Sequence, residues 1–446
     1  MAAVWSSVKR YVVTLRTPEF GVSSRRRGET GRRPLLTAWS VVVTAVVASV
    51  VIGSAPASAA PQGYAPGPAC AWQLMSNSTD LNVAFPDANA TYWVLPYMLG
   101  SGDSISLSGT YPTARYFSLN TYGTDFNTVD TLRDNQIRPL AGGNPYASTA
   151  AASQLGRGKW QATVVNRPAD HARNEIRGLP APGKQRIPLG FLIIRVYVPN
   201  NPASANGGVT LPDVTMHLGG TSVSLPPCAI PFNPRNYSGP IAAAMTTVFD
   251  QAIGKAAANS FPANSPEAVF VNPASTAGLF PNGDNKYIGA ALTYRPGRVA
   301  VVRAKAPSFP NTRSGASPAQ PGVDLRYWSM CQNDKVSPYP VVACKSDFQT
   351  RIDSAGYYAY VVAAPQDMAS SSDPALTVIP WGSTSVPKKV VFLRYMLPSS
   401  AFYPMTVQAE QAQHTDPAST MGAYYPRATY CDVTVLRSRG WQGCFG

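Results

Sequence analysis

The densest run of side chains able to do chemistry lies between Asn120 and Arg138. It holds Asn120, Tyr122, Asp125, Asn127, Asp130, Arg133, Asp134 and Arg138. Carboxylates at this density can serve as the acid and base of a glycan or ester hydrolase, or as ligands to calcium. Asp125, Asp130 and Asp134 are therefore the candidate catalytic residues, and Asn120, Tyr122, Arg133 and Arg138 the candidate ligand-binding ones. The spacing Asp125-x-Asn127-x-x-Asp130 follows a calcium loop only in part, so no metal and no cofactor is assigned. Asn and Asp also populate turns for backbone reasons, and a solvated, hydrogen-bonded loop is the commoner origin of such a run.

Other chemical signals are sparse. The chain has no Gly-x-Ser-x-Gly elbow, no His-Glu-x-x-His, no phosphate-binding glycine loop and no Cys-x-x-Cys. Its three histidines are His171, His217 and His414, the last beside Asp416. A serine triad can use any of them with a distant Ser, but a triad is recognised by geometry and not by spacing. The six cysteines, Cys70, Cys228, Cys331, Cys344, Cys431 and Cys444, are even in number and suit three disulfides in an oxidising compartment. Spacing ranks Cys331 with Cys344 and Cys431 with Cys444 first, which leaves Cys70 for Cys228. Zinc is disfavoured, because the close pairs are thirteen apart and lack His neighbours.

The elements that must position these groups form one module written twice. Phe85-Pro86 with Tyr92 recurs as Phe280-Pro281 with Tyr287, and Tyr111-Pro112-Thr113-Ala114-Arg115 as Phe309-Pro310-Asn311-Thr312-Arg313. The run from Trp160 recurs from Tyr357, and Ile194-Arg195 recurs as Leu393-Arg394. All four matches are offset by 195 to 199 positions, whereas Tyr116-Phe117-Ser118-Leu119 meets Tyr327-Trp328-Ser329-Met330 at 211, which makes residues 314–322 an insertion in the second copy. Arg115 pairs with Arg313 at an offset of 198 and Arg195 with Arg394 at 199; each arginine is expected to brace its own module.

Short alternating or apolar runs separated by Gly, Pro, Asn and Asp predict antiparallel strands. In copy one they are 92–98, 104–108, 114–120, 160–165, 191–198 and 214–218, and in copy two 286–293, 299–304, 325–330, 357–362 and 390–397. The unbroken apolar run Phe191-Leu192-Ile193-Ile194 predicts a central strand covered on both faces. The fold class is therefore mainly β, two tandem sandwich or jelly-roll modules over 80–237 and 261–446. One helix over 238–260 joins them, with Ile241, Met245, Val248, Phe249, Ala252 and Ile253 at helical spacing behind Pro240.

Residues 1–59 read as an export signal: Arg25, Arg26, Arg27, Arg32 and Arg33 precede an uncharged run from Leu35 to Gly53, and Ala57-Ser58-Ala59 supplies a cleavage pattern. Arg32-Arg33 fits the twin-arginine form, and an uncleaved leader is the only predicted membrane contact. Residues 60–79 would then be the mature amino-terminal segment. The whole chain is +14, and cleavage leaves 29 basic and 21 acidic side chains, a net +8. These charges are dispersed, with no basic run interleaved with aromatics, so nucleic acid is not expected as a partner.

Tyr111-Pro112-x-Ala114-Arg115-Tyr116-Phe117-Ser118, Gly143-Asn144-Pro145-Tyr146, Trp381-Gly382, Leu397-Pro398, Tyr424-Tyr425-Pro426 and the closing Gly440-Trp441-Gln442-Gly443-Cys444-Phe445 resemble uncharacterised secreted proteins of actinobacteria. The resemblance implies a bacterial, exported, β-rich protein and brings no activity with it. The expectation is a secreted or envelope-associated protein that binds a glycan, lipid or cell-wall polymer without catalysis, at a cleft between the modules. The alternative is a secreted hydrolase acting on a glycan or ester.

Overall fold

The computed structural model describes residues 70–229 and 251–446, apart from a few positions within 252–278 and residues 368–375. The expected leader and most of the expected joining helix lie outside the described residues. Of that helix, Gln251, Ile253, Gly254, Ala257 and Ala258 are helical. Ile253 and Ala257 are buried with Phe85 of the first module and Val390 and Phe392 of the second, so this segment wedges between the copies.

Ten strands build the first module: β1 Leu74–Ser76, β2 Ala90–Met98, β3 Ser104–Thr110, β4 Ala114–Tyr122, β5 Thr128–Arg133, β6 Lys159–Val165, β7 Glu175–Arg177, β8 Leu189–Pro199, β9 Asp213–Leu218 and β10 Thr221–Leu225. Eight build the second: β11 Asn285–Thr293, β12 Arg298–Lys305, β13 Leu325–Asp334, β14 Val341–Ser346, β15 Tyr357–Ala363, β16 Leu376–Pro380, β17 Lys388–Pro398 and β18 Arg427–Asp432. After β17 come the short helices α1 Val407–Gln413 and α2 Pro417–Met421, and after β18 comes α3 Val433–Arg439.

The sheet orders establish the duplication. The first module has β1-β2-β8-β4-β5 and β10-β9-β3-β6-β7, and the second has β11-β17-β13-β14 and β16-β15-β12-β18. Strand for strand, β2-β8-β4-β5 matches β11-β17-β13-β14, and β9-β3-β6-β7 matches β18-β12-β15-β16. Even the two parallel pairings correspond, β6 with β7 and β15 with β16. The inserted loop also falls as expected, since residues 111–113 link β3 to β4 while residues 306–324 link β12 to β13.

Packing corrects two details of the alignment. Phe117 stacks on Trp160 at 5.9 Å, and its equivalent Trp328 stacks on Tyr358 at 5.4 Å. Trp160 therefore corresponds to Tyr358 and not to Tyr357, because a one-residue slip along a strand would turn the ring to the opposite face. Arg115, second in β4 and just before Tyr116, corresponds to Arg326 just before Tyr327 of β13; Arg313 lies in the long link between β12 and β13, beside Phe348.

Each sandwich has its own core, around Phe117, Trp160 and Ile194 in the first module and Trp328, Tyr358 and Leu393 in the second. A third core, with Tyr116, Tyr197, Ile193, Tyr327 and Met396, lies where the two inner sheets face each other. The molecule is thus a stack of four sheets. This explains why all eleven residues of β8 and all nine of β4 are buried: both faces of these strands are covered, as the apolar run from Phe191 predicts for β8.

Candidate functional site

The sequence suggests a cleft between the modules, but the structure fills that seam with reciprocal contacts. Arg115 Nη1 of β4 donates to Asp347 Oδ1 at 2.5 Å, and its counterpart Arg326 Nη1 lies 3.3 Å from Asp134 Oδ2. Tyr116 donates its hydroxyl to Asp284 at 2.7 Å, and Tyr327 donates to Asp87 at 2.9 Å. Arg195 donates to the Phe280 carbonyl, and Arg394 to that of Phe85. Both phenylalanines hold positive φ, 58° at Phe85 and 50° at Phe280, a backbone cost that persists at matched positions because these two-sided contacts fix it. The arginines therefore reach across to the opposite module, although Arg195 also donates to the Tyr122 hydroxyl and Arg394 to Cys331 Sγ within their own. Such mutual pairing is the signature of an isologous, two-fold interface, here within one chain.

These groups are too buried to meet a ligand. Arg115, Asp87 and Asp134 are fully buried and Asp347 nearly so. Burial pushes the carboxyls of Asp134 and Asp347 up to about 6, against the pull of Arg326 and Arg115. Among the described residues one grouping, Asp87 with Cys331 and Cys344, has its ligand atoms close enough for a metal. The two sulfurs are joined in a disulfide and offer no thiolate.

The candidate acids disperse. The segment that reads as a loop is largely the hairpin β4–β5, and the equivalent hairpin of the second module sets Cys331 on β13 opposite Cys344 on β14. Alternation is obscured in β5 because Thr128, Asp130 and Thr131 are polar on both faces. Asp125 is exposed in the turn and accepts from Asn127. Asp130 accepts from His171 Nε2 at 3.0 Å and from the backbone N–H of Arg177 at 2.8 Å. Asp134 accepts the Phe117 N–H at 3.1 Å from inside the core. Asp130 is thus held by His171 and β7 while Asp134 is sealed beneath Arg326, so the two share no partner and do not form an acid and base pair open to a substrate.

The other candidates are also engaged. Asn120 accepts from Thr131 across the hairpin, Tyr122 donates to the Pro281 carbonyl, and Arg133 pairs with Asp284. Arg138 is exposed, and its backbone N–H and carbonyl are held by Asn174. Sequence reading missed Asp87, Asp284, Asp347 and Arg326. Extending the match at offset 211 back by one residue, from Tyr116 and Tyr327 to Arg115 and Arg326, finds the last of these.

The accessible chemistry lies on the outer sheets, where the two copies differ. In β3, Ile105 and Leu107 point into the core while Ser104, Ser106 and Ser108 point outward, the pattern of a sheet with one wet face. Thr163 of β6 and His217 of β9 share that face. His217 lies 2.9 Å from Ser106 Oγ through Nε2 and 2.8 Å from Ser222 Oγ through Nδ1. This is a serine–imidazole–serine chain on a flat surface. The amides of β3 are spent in ladders to β6 and β9, so the face offers side-chain donors and acceptors instead of an oxyanion pocket.

In the second module the matching positions of Ser104, Ser106, Thr163 and His217 are Val299, Val301, Val361 and Cys431. They are buried beneath Val433 and Leu436 of α3 and Trp441, with the cap tied down by Cys431–Cys444. The remaining bridges are Cys70–Cys228 and Cys331–Cys344, the pairing that spacing ranks first. No helix among the described residues is long and apolar enough to cross a membrane.

Neither a protein-family model nor a curated protein matches the chain. Among solved structures it is similar to an uncharacterized protein from Burkholderia cenocepacia, at 10% identity over 98% of this chain and 97% of that one, with a TM-score of 0.47. It is also similar to a protein from Vibrio parahaemolyticus, at 12% identity over 78% of this chain and 90% of that one, with a TM-score of 0.37.

Proposed function

We propose that this is an exported, envelope-associated protein that binds an extracellular glycan through the open outer face of its first module, without transforming it. The carrying observation is the contrast between equivalent faces. One copy buries this surface under an apolar cap, while the other leaves it open and lines it with Ser106, Thr163, Thr215, His217 and Ser222. A common scaffold accommodates either chemistry, so the hydroxyl-rich version reflects what it meets outside. Hydroxyls and an imidazole both donate and accept, which suits the hydroxyls of a neutral sugar polymer. Three disulfides support an oxidising location.

The test is co-sedimentation of the mature protein with insoluble peptidoglycan and neutral polysaccharides. Ser106→Arg combined with Thr215→Arg is expected to abolish retention at unchanged melting temperature. Retention equal to wild type would remove the face from the proposal, and release of soluble sugar fragments would favour the hydrolase reading instead.

A further inference from the structure

The second module carries an accumulation of positive charge that its scaffold does not require. Strand register sets Arg427 of β18 directly opposite Arg303 of β12, and Lys305 follows two residues along on the same face. Like charges facing each other across an antiparallel pair destabilise it. In the first module the corresponding pair is Ser108 and Asp213, in register on β3 and β9, and the counterpart of Lys305 is Thr110. The duplicated fold therefore tolerates a neutral–acidic pair here, and the arginines are a property of this copy alone.

Compensation within the protein is slight. Arg303 meets Asp353 at 3.2 Å, and among the described residues no carboxylate pairs with Arg427 or Lys305. The cations rest on aromatic faces instead. Arg303 lies 4.5 Å from the ring centre of Tyr357 and 4.4 Å from that of Trp441. Arg427 lies over Phe445, and Lys305 over Tyr424. Rings hold a guanidinium flat while leaving its N–H edge free. Arg439, exposed in the last turn of α3, packs against Gly443 of the segment that carries Trp441 and Phe445. The Cys431–Cys444 bridge fixes the cap that carries Trp441 and Phe445.

We propose that Arg303, Lys305, Arg427 and Arg439 form a docking platform for a linear extracellular polymer bearing phosphate groups. Guanidinium forks match phosphate oxygens in pairs, and successive phosphates along a chain would relieve the repulsion between Arg303 and Arg427. The platform is on the opposite module from the hydroxyl-bearing face and does not depend on it.

The experiment measures binding of the mature protein to linear polyphosphate by fluorescence anisotropy between about 50 and 200 mM salt. Wild type is expected to bind, and Arg427→Gln to weaken binding at least several-fold. The slope of log K against log salt should become shallower by about 0.7 for each phosphate contact removed. Arg186→Gln, an exposed arginine of the first module, changes net charge equally and is expected to have little effect. Arg427 is exposed and supports no ion pair among the described residues, so its variant should fold; Arg427→Lys, which keeps charge but loses the fork, should fall between. Equal losses for Arg186→Gln and Arg427→Gln would overturn the platform, as would no binding by wild type. Binding only to vesicles of phosphatidylcholine and phosphatidylglycerol would also overturn it, because a membrane would then be the partner. Failure of the glycan co-sedimentation would leave this result unchanged, since no residue is shared.

Discussion

Arg115 and Asp347 meet where no water reaches, and the environment sets the chemistry of each. Arg115→Met would leave the Asp347 carboxyl buried without its guanidinium. The expected cost at pH 7 is about 3 to 5 kcal/mol, smaller near pH 5 because a proton then neutralises the stranded group. Asp134 provides a complementary test. Burial holds its carboxyl at about 6, above its ordinary value near 4, so the folded chain binds this proton more tightly than the unfolded one. Its contribution to stability is complete below about pH 4 and is lost as pH rises through about 6. Asp134→Asn resembles the protonated form at every pH, and Arg326 keeps its contacts to the carbonyls of Arg115 and Tyr146. The urea midpoint of this variant should therefore gain on wild type between about pH 4 and 7. A difference that does not vary with pH would show that Asp134 titrates alike in both states.

At the scale of elements, the hairpins β4–β5 and β13–β14 are the same object with different fastenings. Asn120 faces Thr131 in one, hydrogen-bonded at 3.1 Å, and Cys331 faces Cys344 in the other, covalently bonded. The double substitution Asn120→Cys and Thr131→Cys should therefore close a fourth disulfide. Protection of both thiols from alkylation under non-reducing conditions would verify it, and two freely alkylated thiols would show that the hairpins are not superimposable. This kinship was partly legible in the sequence. Strands with apolar alternation, such as β3 and β6, or with an unbroken apolar run, such as β8, announce themselves, and the offsets locate their partners. The polar strand β5 does not, nor does the three-residue β7, whose pairing to β6 depends on tertiary context. Nor was the candidate site legible: residues 104–108 read as a strand, but sequence cannot say that α3 covers Val299 and Val301 and leaves Ser104 and Ser106 open. The role of Asp134 was hidden for the same reason, since its partner Arg326 is remote in sequence and belongs to the other copy.

For the whole molecule, crossed contacts make the modules interdependent. The segment ahead of each module's first matched strand reaches into the other: Asp87 accepts from Tyr327 and Ser329, and Asp284 accepts from Tyr116 and pairs with Arg133. Separating the modules would expose Tyr116, Tyr197 and Ile193 on one inner sheet and Tyr327 and Met396 on the other, a large apolar patch for either to show to water. It would also strand Asp347 and Asp134 without their arginines. Independent domains meet across modest polar interfaces and come apart separately, whereas here the third core and the ion pairs are lost together with the first module to open. The chain is therefore expected to unfold in one cooperative transition, with a calorimetric enthalpy equal to the van't Hoff value. Two resolved transitions in the reversible range would show that each sandwich stands alone, and that the seam is an adhesion of finished modules instead of part of their folding.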